Sequence, residues 1–355
     1  MSESLPERIS LEELQLAARN HALPLEALRW DLTPIGLHYL LSHYDIPDVD
    51  QTSWRLDVAG LVERPLSLTL DDLRSRPSVE VTVTMECAGN GRAHVEPRVV
   101  SQPWLLEAVG TARWRGTPVA PLLQEAGIRE GAVDVLFTGI DRGVEGGEEQ
   151  AYERSLPVST LLEGDTLLAY EINGEPLPPQ HGYPLRLVVP GWYGMTSVKW
   201  LARITVLDEP FAGYQMDHSY RVRRDEEDEG EPITTIAPRS LMVPPGIPEF
   251  LTRARVVETG ACELVGRAWS GGAEISAVGV STDGGATWAS AELGESLGPW
   301  AWRSWRFVWD AAPGEYELCC RARDAAGGEQ PLEPSWNLGG YVNNAVQRVP
   351  VTVTP

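Results

Sequence analysis

The chain has few cysteines and few basic residues. Its 355 residues contain four cysteines, 29 lysines and arginines, and 51 aspartates and glutamates. Four cysteines in so long a chain, none of them in a Cys-x-x-Cys pair, argue against a disulfide scaffold and against a zinc ribbon or a thioredoxin-type site. The net charge of −22 argues against nucleic-acid binding, which needs a basic surface, and against docking on anionic membranes.

Long apolar runs and export signals are also missing. No stretch approaches the roughly 18 apolar residues of a membrane-spanning helix. Residues 1–8 lack a basic segment followed by an apolar one, so we expect no export and a cytoplasmic location. No phosphate-binding loop of the Gly-x-Gly-x-x-Gly or Walker type occurs. What remains is a large acidic protein with room for two or three domains.

One stretch joins a strand pattern to a chemically distinctive turn. β-branched residues alternate from Val79 to Thr84, which predicts a strand. Cys87 follows, and then Gly89-Asn90-Gly91, which favours a tight turn with positive φ angles. A thiolate at a strand end, near the guanidinium of Arg92, suits a soft-metal ligand or a nucleophile. A buried structural cysteine is the alternative.

The stretch from Cys87 to Arg92 resembles a signature of the sulfite oxidase family of molybdenum enzymes. Further motifs follow in the family's order: Ala112-Arg113-Trp114-Arg115-Gly116, Leu168 to Pro178 running into His181-Gly182-Tyr183-Pro184-Leu185-Arg186, Val189 to Gly194, Val198-Lys199-Trp200-Leu201, and Trp336-Asn337-Leu338-Gly339-Gly340. The resemblance covers residues 35 to 355. It implies an α+β fold, with a mixed α+β molybdopterin-binding domain in residues 1–237 and an immunoglobulin-like β-sandwich dimerisation domain in residues 238–355.

The sequence pattern of the last third favours such a sandwich. Short strand patterns alternate with turns, and Asp283-Gly284-Gly285 predicts a hairpin. Alternation through Tyr316, Leu318 and Cys320 is typical of a sandwich strand. We interpret Cys319 and Cys320 as structural thiols on opposite strand faces.

The N-terminal residues predict one peripheral helix. Ser10 followed by Glu13 fits a capping box. Leu11, Leu14 and Ala18 lie at helical spacing and predict an apolar stripe on this helix.

The resemblance implies one metal ligand, Cys87, and a set of cofactor-binding residues: Tyr39, His43, Cys87, Asp141, His181, Arg186, Ser197, Val198 and Lys199. In the family, the counterparts of His43 and Asp141 contact the pterin. Arg186 and Lys199 suit the cofactor phosphate, because a guanidinium binds phosphate bidentately and an ammonium adds a point charge. Taken alone, His43 also fits a polar loop histidine, and the two cations also fit ordinary charges beside strands.

The resemblance also implies a substrate pocket. The catalytic candidates are Cys87, Arg92 and Tyr220, and the substrate-binding candidates are Arg92, Trp104 and Tyr220. Taken alone, Trp104 also fits a core aromatic. The three arginines of the family's sulfite pocket fall here at Leu41, Arg92 and Gly339, so only one is retained. Our hypothesis is that sulfite is a poor substrate and that a less charged sulfur compound or related oxo-acceptor fits better.

The implied function is two-electron oxygen-atom transfer to a small sulfur-type acceptor, with the electrons passed to a separate partner. We expect one molybdenum–molybdopterin per chain, no haem, and a homodimer. Two alternatives stay open: a reductase that runs the reverse transfer, and a metal-free binding or scaffold protein on the same fold. The acidic run from Asp225 to Glu231 predicts a solvated linker.

Overall fold

The computed structural model describes residues 9–355. Within them, no helix is long and apolar enough to span a bilayer. The expectations of no export and of a cytoplasmic location rest on residues 1–8, which lie outside the described residues, and they stay predictions.

The described helices are short. The α-helices are α1 Leu11–Arg19, α2 Leu70–Arg74, α3 Val119–Ala126, α4 Val158–Glu163 and α5 Tyr214–Asp217, and the 3₁₀ segments are Leu25–Arg29, Ile35–Leu37, Arg92–His94, Pro179–His181 and Gly194–Thr196. Ser10 caps α1 in the predicted capping box with Glu13. The predicted apolar stripe is wrong, because Leu11 and Leu14 are exposed. Instead α1 is anchored by the buried Glu13, which pairs with Arg98.

Residues 56–232 form two five-stranded sheets and one short ribbon. Their strands are β1 Leu56–Gly60, β2 Leu66–Leu68, β3 Val79–Glu86, β4 Val109–Pro118, β5 Asp134–Glu145, β6 Glu148–Pro157, β7 Leu167–Ile172, β8 Glu175–Pro176, β9 Arg186–Val188, β10 Leu201–Leu207, β11 Arg221–Val222 and β12 Glu231–Pro232. One sheet has the order β2-β1-β10-β5-β6, and the other has the order β3-β4-β7-β8 with β9 also paired to β7. Side chains of both sheets share a core that includes Leu56, Phe137 and Leu187.

Strand β3 delivers Cys87 to the end of the second sheet. It pairs with β4 in antiparallel register from Val79 opposite Gly116 to Glu86 opposite Val109. The chain then leaves the sheet, and Gly91 adopts a φ of 89°, which glycine reaches without steric cost. The predicted strand and turn are therefore both confirmed.

Residues 239–354 form a two-sheet sandwich. Its strands are β13 Arg239–Met242, β14 Ile247–Pro248, β15 Arg255–Glu258, β16 Gly260–Trp269, β17 Ile275–Ser281, β18 Ala289–Ser290, β19 Glu292–Ser296, β20 Arg303–Ala311, β21 Gly314–Asp324 and β22 Gln347–Thr354. The sheet orders are β13-β16-β20-β19 and β14-β15-β22-β21-β17-β18. Leu264, Trp305, Leu318 and Val351 join the sheets in one core. The predicted fold class is confirmed.

Candidate active site

A cavity with about 610 Å³ of empty space lies beside Cys87. Eight of the nine expected cofactor residues line it: Tyr39, His43, Cys87, Asp141, His181, Arg186, Ser197 and Lys199. The ninth, Val198, does not line the cavity, because its side chain is buried in the hydrophobic core and its N–H donates to the carbonyl of Thr196. Residues far apart in the sequence thus meet in one concave site.

Cys87 presents one thiol to this cavity. It is 6% exposed and packs against Trp104 and Ala108. Its N–H donates to the carbonyl of Ala108 at 2.9 Å, and its own carbonyl accepts from the N–H of Asn90 at 2.9 Å. Burial raises the pKa of the thiol, and the nearby Arg92 opposes that rise.

The described residues offer no complete metal site made of protein ligands. Among residues 9–355 there is no group of three or more His, Cys, Asp or Glu that is arranged to hold a metal ion. A metal at the Cys87 thiolate would therefore take its remaining ligands from a bound group. Soft thiolate donors suit such a centre. The donor set fits a metal that is brought by an organic cofactor.

Two cations at the cavity, the buried Arg186 and the half-buried Lys199, are held by neutral acceptors. Arg186 donates to the carbonyls of His181 at 3.2 Å and Ser197 at 3.1 Å. Lys199 Nζ donates to the carbonyl of Leu41 at 2.9 Å and to Ser42 Oγ at 2.9 Å. Burial lowers the pKa of both cations, that of Arg186 to about 10.

Neither cation forms an ion pair within the described part of the chain. Removing an unpaired charge from water is costly. An anionic group bound in the cavity would offset that cost. Arg186 and Lys199 therefore fit the expected cofactor phosphate.

Two buried polar atoms at the cavity lack a hydrogen-bond partner among residues 9–355. They are Asp141 Oδ1 and His38 Nε2. Burial raises the pKa of Asp141 to about 7, against the opposing charge of Lys199. Burial lowers the pKa of His38 to about 4 and that of His181 to about 2. A heterocycle with its own donors and acceptors fits these atoms. Sequence reasoning missed His38, although it directly precedes Tyr39.

A second cavity, with about 840 Å³ of empty space, opens beside the first. Leu41, His43 and Cys87 line both cavities. All three expected substrate residues line the second one: Arg92, Trp104 and Tyr220. Eight expected cofactor residues and the three expected substrate residues thus line two adjacent cavities that share Cys87.

Arg92 is positioned by the C-terminal sandwich region. It is 5% exposed, and its Nε donates to the carbonyl of Gly339 at 2.9 Å. Its guanidinium lies 4.9 Å from the ring centroid of Tyr341, in cation–π geometry. The N–H of Val342 also donates to the carbonyl of Ala88, in the loop that follows Cys87. The segment around residue 340 therefore forms one wall of the candidate substrate site.

Tyr341 fills the space beside Gly339. A Cβ atom added to Gly339 would overlap the ring of Tyr341. That ring also contacts the ring of Tyr220, with centroids 5.3 Å apart. A side chain at position 339, where the family has an arginine, would therefore require this aromatic ring to move. Sequence reasoning did not single out Tyr341.

Tyr220 and His43 meet at the boundary of the two cavities. The Tyr220 hydroxyl forms a hydrogen bond with His43 Nε2. Burial lowers the pKa of His43 to about 3 and raises that of Tyr220 well above its usual range. Near neutral pH the imidazole is therefore uncharged and the phenol donates. Sequence reasoning also missed Tyr152 and Arg154. The ring centroids of Tyr152 and His43 lie 4.7 Å apart, and the Arg154 guanidinium lies 5.6 Å from the centroid of the Tyr220 ring.

A buried ion pair between strand β3 and the C-terminal sandwich also holds the loop that carries Cys87. Glu86 directly precedes Cys87, and its Oε1 accepts from Arg239 Nη1 at 2.7 Å. Its Oε2 accepts from the indole N–H of Trp269 at 2.7 Å. Asn90 Nδ2 donates to the same carboxylate at 2.9 Å. The loop that carries the thiol thus depends on contacts with the sandwich.

Two protein-family models match the chain. The oxidoreductase molybdopterin binding domain matches residues 43–215, and the Mo-co oxidoreductase dimerisation domain matches residues 232–354. Among solved structures, the sulfane dehydrogenase SoxCD from Paracoccus pantotrophus matches with a TM-score of 0.80 and 27% identity, over 94% of this chain and 86% of that chain.

Curated relatives agree with these models. The chain is 38% identical over 343 residues to mitochondrial sulfite oxidase of Mus musculus, covering 91% of this chain and 62% of that protein. It is 39% identical over 337 residues to sulfite oxidase of Gallus gallus, covering 89% and 72%. It is 34% identical over 351 residues to nitrate reductase (NADH) 1 of Oryza sativa subsp. japonica, covering 91% and 38%. The chain thus spans less than two thirds of the mammalian relative.

The sequence motifs, the cavities at Cys87 and these matches all lead to the same assignment. The chain belongs to the sulfite oxidase family of molybdopterin-binding oxidoreductases.

Proposed function

We propose that this enzyme transfers an oxygen atom to a small sulfur compound that carries less negative charge than sulfite. In this reaction the sulfur gains an oxygen atom from water, and two protons and two electrons are released. The electrons pass to a separate acceptor. When bound, the molybdenum cofactor supplies the centre that exchanges the oxygen atom and the two electrons.

The chain's own residues hold the reactants. Cys87 is the proposed protein ligand of the metal, and Arg186 and Lys199 are the proposed anchors of the cofactor phosphate. Arg92 is placed to bind an oxygen of the substrate, because guanidinium is a strong donor to such atoms. Tyr220 lines the same cavity.

The observation that carries the proposal is the charge of the second cavity. Among its lining residues are one arginine, Arg92, and one carboxylate, Glu145. Leu41 stands at the second arginine position of the family, and Tyr341 covers the third at Gly339. Each hydrogen bond to a charged group contributes roughly 1.5–3 kcal/mol. Losing two of them weakens binding of a dianion by a factor on the order of 10² to 10⁴.

Steady-state kinetics with sulfite and ferricyanide test the proposal. The wild type should show a high KM for sulfite. A triple variant, Leu41→Arg with Gly339→Arg and Tyr341→Ala, should lower it, since the alanine makes room for the new guanidinium. The matched control carries glutamine at positions 41 and 339 with the same Tyr341→Ala. It adds long polar side chains at both positions without the positive charge of the arginines. A wild-type KM in the low micromolar range, unimproved by the arginines, would contradict the proposal.

A reductase that removes an oxygen atom is the second candidate. Nitrate reductases at 33–34% identity are among the relatives, and they support this direction. Assays with reduced methyl viologen as donor and ferricyanide as acceptor distinguish the two directions. The metal-free scaffold alternative is not favoured, because Cys87 and seven other expected cofactor residues line one cavity.

We also propose that residues 238–355 mediate a homodimer and that the domain boundary lies at residue 237. The matched dimerisation domain, residues 232–354, supports the first of these proposals. The electron-transfer partner would be a separate molecule.

A further inference from the structure

Glu145, at the end of β5, brings a carboxylate to the second cavity. It is half-buried and lines that space together with Arg92, Tyr220 and Tyr341. Its Oε2 accepts from the Tyr44 hydroxyl at 3.1 Å and from Gln215 Nε2 at 2.7 Å. No basic side chain of residues 9–355 pairs with it. The cavity therefore contains an anion without a counter-ion.

Gln215 adds a second acceptor to the same wall. It is 3% exposed, and its Nε2 is occupied by Glu145 and, at 3.4 Å, by the Tyr44 hydroxyl oxygen. These contacts fix the amide so that Oε1 is its remaining polar atom. Within the described residues Oε1 has no hydrogen-bond partner. Buried polar atoms nearly always have one, and Gln215 lines the second cavity, so a ligand bound there would supply the missing donor.

The two arginines near this wall make their contacts with other groups, and Arg154 Nε has no hydrogen-bond partner among residues 9–355. Arg92 contacts Gly339, Gln102 and Tyr341, and it forms no ion pair with Glu145. Arg154 donates to the backbone carbonyl of Gln215, lies against the Tyr220 ring, and does not line the cavity. The cavity therefore has two separate polar poles, a guanidinium and a pair of acceptors.

We propose that Glu145 and Gln215 form a recognition site for a cationic N–H group of the substrate. An ammonium group would donate to the Glu145 carboxylate and to Gln215 Oε1, while the oxygen-accepting sulfur faces Arg92 and Cys87. The rings of Tyr220 and Tyr341 line the same cavity, and aromatic faces favour cations. The inference deepens the proposed function and rests on its assignment of this cavity to the substrate.

Two probes of equal size test the inference: 2-(methylsulfinyl)ethylamine, which is cationic, and 2-(methylsulfinyl)ethanol, which is neutral. Titration calorimetry on the holoenzyme measures binding without turnover. We expect the wild type to bind the amine more tightly than the alcohol by about tenfold, as for one charge-assisted hydrogen bond in a partly solvated site. Glu145→Gln should bring this ratio close to one.

The matched control is Glu148→Gln. Glu148 is the exposed partner of Glu145 in the β5–β6 pairing, and its substitution removes the same charge. This variant should keep the wild-type ratio. Equal binding of the two probes by the wild type, or an equal loss of preference in both variants, would overturn the inference.

Turnover separates this inference from the proposed function. With reduced methyl viologen as donor, each sulfoxide takes up two electrons and two protons and releases water and a thioether. With ferricyanide as acceptor, each thioether gains an oxygen atom from water to give the sulfoxide, and two protons and two electrons are released. Conversion of both probes without preference for the amine refutes the cation site alone. A low micromolar sulfite KM with no turnover of either probe refutes the proposed function itself.

Discussion

Tyr341 fills the space beside position 339, where the family has an arginine and this chain has Gly339. Its ring takes the space that a side chain at Gly339 would need, and it packs on Arg92 and Tyr220. Gly339→Ala should therefore destabilise the protein by about 1–3 kcal/mol, the usual range for overpacking. The same change should cost less in a Tyr341→Ala background, because the collision is removed.

Urea unfolding measures both effects. Gly272→Ala is the control, since a Cβ atom at Gly272 meets nothing within 4 Å and its φ is not positive. Equal costs of Gly339→Ala with and without the Tyr341 ring would show that the ring does not fill this space.

Asp141 should make the cofactor-free protein sensitive to pH. Burial raises the pKa of its carboxyl from 3.8 to about 7, so between these values the folded state binds a proton that the unfolded state has lost. The free energy of unfolding then falls as pH rises through this window. Asp141→Asn removes this contribution. The variant should be more stable than the wild type at pH 8, and its gain in free energy of unfolding should be smaller at pH 5. Urea unfolding at both pH values measures this difference, and an equal gain at both would refute the assignment.

At this scale, the sequence predicted residues whose motif is local and distinctive. Cys87, Arg92 and Arg186 lie in such motifs. Arg186 lines the first cavity, Arg92 lines the second, and Cys87 lines both. Tyr341 and Gln215 could not be found in this way, because each matters through a contact with a residue distant in sequence.

Among the structural elements, the loop after β3 depends most on contacts with the sandwich. Glu86 and Arg239 are each 1% exposed and pair at 2.7 Å. Arg239→Met would leave the Glu86 carboxylate buried without its partner, and breaking such a pair costs about 3–5 kcal/mol. The double variant with Glu86→Gln should recover part of that loss, because it removes the stranded charge.

The control for this prediction is Arg306→Met. Arg306 pairs with Glu292 at 2.8 Å, and both are exposed, so its loss should cost no more than about 1 kcal/mol. Thermal unfolding of the wild type and the three variants gives the comparison. Similar effects of Arg239→Met and Arg306→Met would contradict the role of the buried pair.

Elements with a strong local signal were predicted well. The strand before Cys87 and the Ser10 capping box are both confirmed. The apolar stripe of Leu11 and Leu14 is wrong because helical spacing does not reveal whether another element covers the face. The pairing of Glu86 with Arg239, 153 residues apart, depends on docking between two sheet systems, which local patterns do not encode.

For the whole molecule, we expect a homodimer mediated by residues 238–355. An obligate interface of this kind buries more than about 2,000 Å², so the dimer should persist at micromolar concentration. Light scattering coupled to size-exclusion chromatography measures its mass, and the expected value is twice the chain mass of 39.0 kDa. A monomer at every concentration tested would contradict this prediction.

The central claim is that Cys87 is the single protein ligand of a molybdenum cofactor. The most direct measurement is metal content together with X-ray absorption at the molybdenum edge. We predict about one molybdenum per chain, and in Cys87→Ser one fewer sulfur ligand and loss of activity, since thiolate is the better donor to a soft centre. Cys262→Ser, which removes a half-buried thiol of the sandwich, should keep the full sulfur count. An unchanged sulfur count in Cys87→Ser would contradict the account.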